Sequence, residues 1–302
     1  MGSALSEKAP PAAAFALVFN AFVWGISWWP FRVLHERGLH PLWATAMIYL
    51  VSLGVLLAVR PNAWRSFARE PLLWLLALAA GLTNVGFNWA VTVGDVVRVV
   101  LLFYFMPAWS VILAWPLLGE RPTVMSIVRL LLAMAGLIVV LKRPEMQWPV
   151  PESIADWLAI AGGFAFALTN ILLRKMKGVD APSRILAMFG GGAVSATVAG
   201  LIALSIGMIA APPSPSMDWV GVGLALSLGF LASNIALQYG ASRVSAHTGA
   251  LIMLSEVVFA SVSSVALGAA EMTTRTWIGG AMILSAALWS AWSPAPAKPV
   301  AQ

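Results

Sequence analysis

Residues 248–268 read TGALIMLSEVVFASVSSVALG, twenty uncharged residues and one acid, Glu256. The nearest formal charges on either side are Arg243 and Glu271. Glu256 therefore falls near the middle of an apolar run long enough to cross a bilayer. A charge at the centre of a membrane helix costs about 2.5–3.5 kcal/mol on insertion scales, so such residues are rare and usually have a task. What that task is depends on the chain around it.

The rest of the sequence has the same character. Of 302 residues, 60% are hydrophobic and 10% charged, against about 45–50% and 25% in soluble domains. The composition is that of an integral membrane protein. A net charge of +6 invites a nucleic-acid partner, but the Lys and Arg sit in short segments between apolar runs, where membrane topology accounts for them. The absence of cysteine excludes disulfides, thiolate metal sites and cysteine nucleophiles. The opening MGSALSEKAPP is short and polar with no small-residue cleavage site, so the first apolar run reads as a retained anchor.

Ten runs have the length of a span: 12–33, 41–59, 71–92, 95–118, 123–141, 153–173, 183–209, 218–239, 245–268 and 273–292. Their lack of alternation and their length specify helices, since lipid cannot satisfy open backbone groups. The breaks between them carry turn and charge signals, among them RPNAWRSFAREP, GERP and PPSPSMD. With ten spans both termini share one side. That side holds Lys8, Arg60, Arg65, Arg69, Arg121, Arg174, Lys175, Lys177, Arg184, Arg243 and Lys298, whereas the other holds Arg32, Arg37, Arg98, Lys142, Arg143 and Arg275. The excess places residues 1–11 and 294–302 in the cytoplasm as short tails. Trp43, Trp74, Trp148, Trp157, Trp219, Trp277 and Trp292 lie near span ends, as an interfacial belt requires.

A repeat underlies the composition. A slide of 150 positions lays TNVGFNWAVTVGD (83–95) on SNIALQYGASRVS (233–245), so that Asn84 meets Asn234 and Asn88 meets Gln238. A slide of 142 lays WGISWWPFR (24–32) on FALTNILLR (166–174), with Ser27 on Thr169 and Arg32 on Arg174. Residues 12–147 and 148–293 thus form two halves of five spans. Five is odd, so the second half enters from the opposite side. The expected fold is all-α and polytopic, with ten transmembrane helices in two inverted five-helix repeats. That architecture belongs above all to secondary transporters, whose substrate site lies near the midplane between the halves.

WG at 24–25, MPAWSVILAWPLLGE at 106–120 and SEVVFASVSSVALGAAE at 255–271 resemble the EamA repeat of the drug/metabolite transporter superfamily, and the resemblance spans about residues 13–292. Within the superfamily, overall similarity and Trp richness make the chain most like the YddG-type aromatic amino acid exporters of the bacterial inner membrane. The resemblance implies a basket of ten helices with a central cavity lined mainly by spans 1, 3, 4, 6, 8 and 9. One departure stands out. The family often has Glu-Pro in span nine, but here Val257 follows Glu256, so a proline kink is not expected there.

Polar residues inside the spans are the candidate substrate contacts. Asn84 and Asn88 on span three, like Asn234 and Gln238 on span eight, are four apart and share a helical face. Asn170 lies on span six. Amides can hold both the ammonium and the carboxylate of an amino acid without burying net charge; interhelical hydrogen bonding is the competing role. Trp24 and Trp28, again four apart, can join Trp89, Phe103, Tyr104 and Trp109 as a wall for an apolar side chain. Pro107 and Pro116 are expected to kink span four. Gly192, Ala196 and Gly200 form a small-residue stripe for close packing on span seven. Arg98 is placed to snorkel or to pair with Asp95, and Arg129 to snorkel toward Glu120 and Arg121.

No HExxH pair, GxxxxGK[ST] loop or GxSxG elbow occurs, so no metal, cofactor, direct ATP use or enzyme activity is expected. The reading is export of amino acids, aromatic or apolar ones favoured, with membrane lipid around the protein and the proton as a coupling ion to be tested. A carrier of drugs, purines or other small metabolites is the first alternative, and a membrane-embedded enzyme is the second, disfavoured because Glu256 has no partner acid, nucleophile or metal ligand in a recognisable motif. Glu256, opposite Met106 in the repeat, keeps three roles open: proton coupling, contact with a substrate ammonium, or a structural bond.

Overall fold

The computed structural model describes residues 11–67, 69–94, 96–142, 151–268 and 273–292. Apart from turns, these residues are helical. In chain order the α-helices are α1 (Pro11–Ile26), α2 (Trp28–Glu36), α3 (Pro41–Val59), α4 (Leu72–Val93), α5 (Val96–Phe103), α6 (Met106–Leu118), α7 (Val124–Leu141), α8 (Ile154–Lys175), α9 (Ala181–Ser205), α10 (Met217–Ala241), α11 (Ala246–Met253), α12 (Ser255–Ala266) and α13 (Thr274–Trp292). Three pairs are broken rods: α1/α2, α5/α6 and α11/α12. The thirteen helices thus make ten rods. Among the described residues nine of these are long and apolar enough to cross a membrane. The tenth is α13, which has Thr274, Arg275 and Thr276 in its first turn.

The packing carries the signature of the inverted repeat. If span n of one half corresponds to span n+5 of the other, the main contacts must come in mates. They do: α4 packs on α8 as α10 packs on α1, and α6 packs on α8 as α12 packs on α1. The α4–α9 contact is matched by α10–α3. Three contacts between corresponding spans are their own mates, α3 with α9, α6 with α11 and α7 with α13. A pseudo-two-fold axis therefore runs between the halves, in the arrangement known for inverted-repeat transporters.

The small-residue stripe on α9 works as close packing, and its partner is α3. A Cβ on Gly192 would collide with the Tyr49 ring, and one on Gly200 would sit 3.0 Å from the Trp43 ring. Trp43 is accordingly buried, with its Nε1 donating to the Ala210 carbonyl at 2.9 Å. Trp219 is buried as well. These two are core residues rather than members of the interfacial belt, because each has an adjacent helix or loop to cover it. Trp74, Trp157, Trp277 and Trp292 are exposed, whereas Trp148 lies outside the described residues.

Two cations are held between helices. Arg98 forms a forked pair with Asp156, Nε to Oδ1 at 2.9 Å and Nη2 to Oδ2 at 3.0 Å, with Glu152 at 3.6 Å. Asp95 lies outside the described residues. Asp156 also completes the capping box of α8 with Ser153, so the pair ties α5 to the start of the second half. Arg129 does not reach the surface. It is 5% exposed, with its guanidinium 5.9 Å from the Trp289 ring centroid.

Candidate functional site

Three rods break where the halves meet, each for a different reason. In the first rod the Ser27 hydroxyl and Ser27 N–H both bond to the Trp24 carbonyl, at 2.7 and 3.1 Å. That tight turn interrupts the α-helical ladder. In the fourth rod Phe105 separates α5 from α6, and Pro107 follows at the start of α6, where its missing N–H is tolerated. Pro107 thus marks the break, but Pro116 lies inside α6 without ending it. The ninth rod breaks at Leu254 with no proline nearby. There the Val257 N–H bonds to the Leu254 carbonyl at 3.1 Å, a three-residue closure in place of the four-residue one. The break at Leu254 and that at Phe105 are related by the repeat, and between them they bring Glu256 and Tyr104 into one place.

A chamber lies between the halves; the space in and around it, counting what opens to solvent, is about 800 Å³. It joins a wider vestibule of about 1760 Å³ through a shared ring of Trp24, Phe87, Asn88, Tyr104 and Glu256. The vestibule extends past Phe31, Pro41, Val91, Leu141 and Thr276, all toward the end of the molecule away from the termini. The other end is closed. Arg174 on α8 bonds to Glu120 after α6 and to the Val244 carbonyl before α11. Glu120 also accepts from the Ala246 N–H at 3.2 Å, and His247 lies 3.9 Å from it.

The acid sits at the ring between chamber and vestibule. Glu256 is in the first turn of α12, where the partial positive charge of a helix N-terminus favours a carboxylate. Its side chain shares the lining of both spaces with Tyr104. The first and ninth rods approach closely here, since a Cβ on Gly25 would lie 2.6 Å from the Phe259 Cβ and 2.8 Å from the Glu256 carbonyl. Only glycine at position 25 lets α1 lie this close to the backbone that carries the acid.

Most of the sequence candidates meet at this chamber. Trp24, Asn84, Asn88, Tyr104, Asn234 and Glu256 line it. Trp24 is stacked on Phe230, with ring centroids 4.3 Å apart. Trp28 lines the vestibule instead, with its Nε1 donating to the Ser263 hydroxyl at 2.9 Å. Asn170 and Gln238 are not in the lining. The Asn170 amide bonds back to the Phe166 carbonyl at 2.9 Å, and buried Gln238 donates to Asn234 Oδ1 at 3.1 Å. Trp109 packs edge-on against Phe164 in an apolar groove on the outer surface, away from the chamber.

Two contributions were not legible in the sequence. Spans two and seven also reach the chamber, through Tyr49 and through Met188 and Phe189. The Tyr49 hydroxyl donates to Asn84 Oδ1 at 2.8 Å, while the Asn84 amide donates to the Ala80 carbonyl at 2.8 Å. Tyr49 therefore fixes which way the Asn84 amide points. Gly192 opposite was the one available signal, since a small residue in a stripe implies a large partner. Thr169 is the other addition. On α8 it, not its neighbour Asn170, lines the chamber, because one residue turns the helix by about 100°.

Residues 11–142 and 153–292 each match the EamA-like transporter family. A crystal structure of another protein superposes with a TM-score of 0.71 over 91% of this chain and 94% of its own, at 18% identity, a likeness of fold. None of the curated proteins matches the chain. With both five-helix halves matched and a cavity between them, the chain belongs to the EamA-like transporter family, membrane proteins that carry small molecules by secondary transport and are not enzymes.

Proposed function

We propose that this protein exports amino acids, aromatic or apolar ones favoured, across a bacterial inner membrane by alternating access of its two halves around the midplane chamber. One observation carries the reading: an acid and three amides face a chamber whose other walls are mostly aromatic. Glu256 suits a substrate ammonium, and Asn84, Asn88 and Asn234 offer donors and acceptors to its carboxylate. Trp24, Phe87, Phe103 and Phe230 supply a surface for the side chain. A mostly apolar pocket with a few convergent polar groups is the usual form of a small-molecule site. Asn170 and Gln238 act one layer out, Gln238 by holding Asn234. Trp28 belongs to the path through the vestibule.

The excess of Lys and Arg on the terminal side supports cytoplasmic termini. In that orientation the open vestibule faces outward, and the closed end with Glu120 and Arg174 faces the cytoplasm. The two repeats are taken as 12–147 and 148–293, flanked by the tails 1–11 and 294–302. Proteoliposomes loaded with a panel of labelled amino acids test the cargo directly, with and without a proton gradient. Saturable, stereoselective transport of an aromatic or apolar amino acid is expected. Transport of purines or cationic drugs with no amino acid carried would replace the cargo and keep the fold.

A further inference from the structure

Threonines inside helices commonly return their hydroxyl to the carbonyl four residues earlier. Two in this protein do so: Thr45 bonds to the Pro41 carbonyl at 2.8 Å and Thr83 to the Ala79 carbonyl at 2.9 Å. Thr169 does not. It is 1% exposed, lines the chamber, and its Oγ1 has no hydrogen-bond partner among the described residues. A buried hydroxyl left without a partner is costly, and a native structure that keeps one calls for an explanation.

Its position supplies the explanation. α8 runs toward the closed end, and Thr169 lies one turn beyond Phe166, six residues before Lys175. Around it the chamber is lined by Ala80, Met188, Leu237 and Met253, all apolar. Asn234 reaches a similar depth, but its oxygen accepts from Gln238 and its nitrogen faces Met188 Sδ at 3.4 Å. The floor of the chamber therefore has one uncommitted polar atom in an apolar setting. Glu256, Tyr104 and Asn88 lie nearer the mouth, where they border both spaces.

We infer that Thr169 reads the far end of the cargo, so that the transporter prefers aromatic side chains bearing a hydrogen-bonding tip, a phenol hydroxyl or a ring N–H, over a bare phenyl ring. The inference rests on the amino-acid reading above. An amino acid whose ammonium is held by Glu256 at the mouth points its side chain at the floor, and the tip of the ring meets the Thr169 hydroxyl. That hydroxyl can donate to a phenol oxygen or accept from a ring N–H. Met188 and Met253, unbranched and flexible, let the floor adjust to a ring. A site that hydrogen-bonds a substrate group discriminates against the analogue lacking it, because the buried polar atom is then left unpaired.

The test compares tyrosine, phenylalanine and 4-methylphenylalanine in proteoliposomes of the full-length protein. The third has nearly the shape of tyrosine without the hydroxyl. For the wild type, half-saturation by tyrosine is expected at a concentration about tenfold below that of either analogue. Thr169→Val, close in shape, should bring the three within about twofold of one another, and Thr169→Ser should keep the wild-type ratio. Thermal unfolding of both variants guards against a structural effect. Equal half-saturation in the wild type, or a ratio that survives Thr169→Val, overturns this inference and leaves the amino-acid reading standing. If none of the three is carried, the cargo reading falls, and this inference falls with it.

Discussion

Arg174, at the end of α8, donates to the Glu120 carboxylate beyond the end of α6 and, with the same guanidinium, to the Val244 carbonyl. The contact joins the first half of the protein to the second at the end where the chamber is closed. Both side chains are largely buried, at 23% and 13% exposed. Removing one partner of such a pair costs more than the pair contributes, because the other charge remains in place uncompensated.

Glu120→Gln and Arg174→Met should therefore loosen the closed end and raise the share of molecules open toward the termini. The chain has no cysteine of its own, so a single cysteine reports cleanly. At Ala13, which is buried against Gly240 on α10, its maleimide labelling should speed up about tenfold in either background, equivalent to about 1.4 kcal/mol. An unchanged rate means that apolar packing alone holds this end shut.

Tyr49→Phe removes the donor that orients Asn84 and leaves the ring in place. We expect an affinity loss of about five- to tenfold, the usual worth of one buried hydrogen bond, with thermal stability little changed. Gly192→Val should do more harm, since its side chain would occupy the space of the Tyr49 ring. Overpacking of that kind costs about 1–3 kcal/mol. Equal transport by Tyr49→Phe and the wild type would show that Asn84 needs no support.

Glu256→Gln keeps the size of the side chain and removes its charge. If the acid holds the substrate ammonium or a coupling proton, the variant loses most transport, and what remains no longer varies with pH. Tyr104→Phe, which deletes the hydroxyl that shares the ring between chamber and vestibule with Glu256, should displace the pH profile without abolishing it. Wild-type rates across pH in Glu256→Gln, with normal expression, would leave the acid a structural role.

Asp180 gives a stability prediction outside the membrane. It caps α9, accepting from the Ser183 N–H at 3.0 Å, the Ser183 hydroxyl at 2.6 Å and the Ser66 hydroxyl at 2.8 Å. Burial pushes its carboxyl up, but the bonds from Ser183 and Ser66 outweigh that and hold it below the ordinary value of 3.8. A carboxyl lowered by folding stabilises the protein fully above its unfolded value and less as pH falls through its folded value. Asp180→Ala should cost about 1 kcal/mol at neutral pH and less in acid below pH ~4. Thermal unfolding measured from pH 7 downward checks it; a difference between variant and wild type that stays constant in acid would contradict the assignment.

Much of this protein is legible along the chain. Span length follows from the apolar runs, because the bilayer fixes how many residues must be buried. The inverted repeat follows from Asn84 on Asn234 and Asn88 on Gln238, because matched polar residues inside lipid are too costly to recur without cause. The placing of Glu256 opposite Met106 follows from the same register. Which side chains face the chamber is another matter. Asn170 is a natural choice by residue type, but α8 turns Thr169 inward, since its rotation is set by packing on α4 and α6. The break at Leu254 carries no proline to announce it, and Tyr49 enters from a span whose role depends on a glycine 143 positions away. Local composition and period fixed the helices and their pairing; the direction of each side chain, the end left open and the unpaired Thr169 hydroxyl at the chamber floor were decided by contacts between helices distant in sequence.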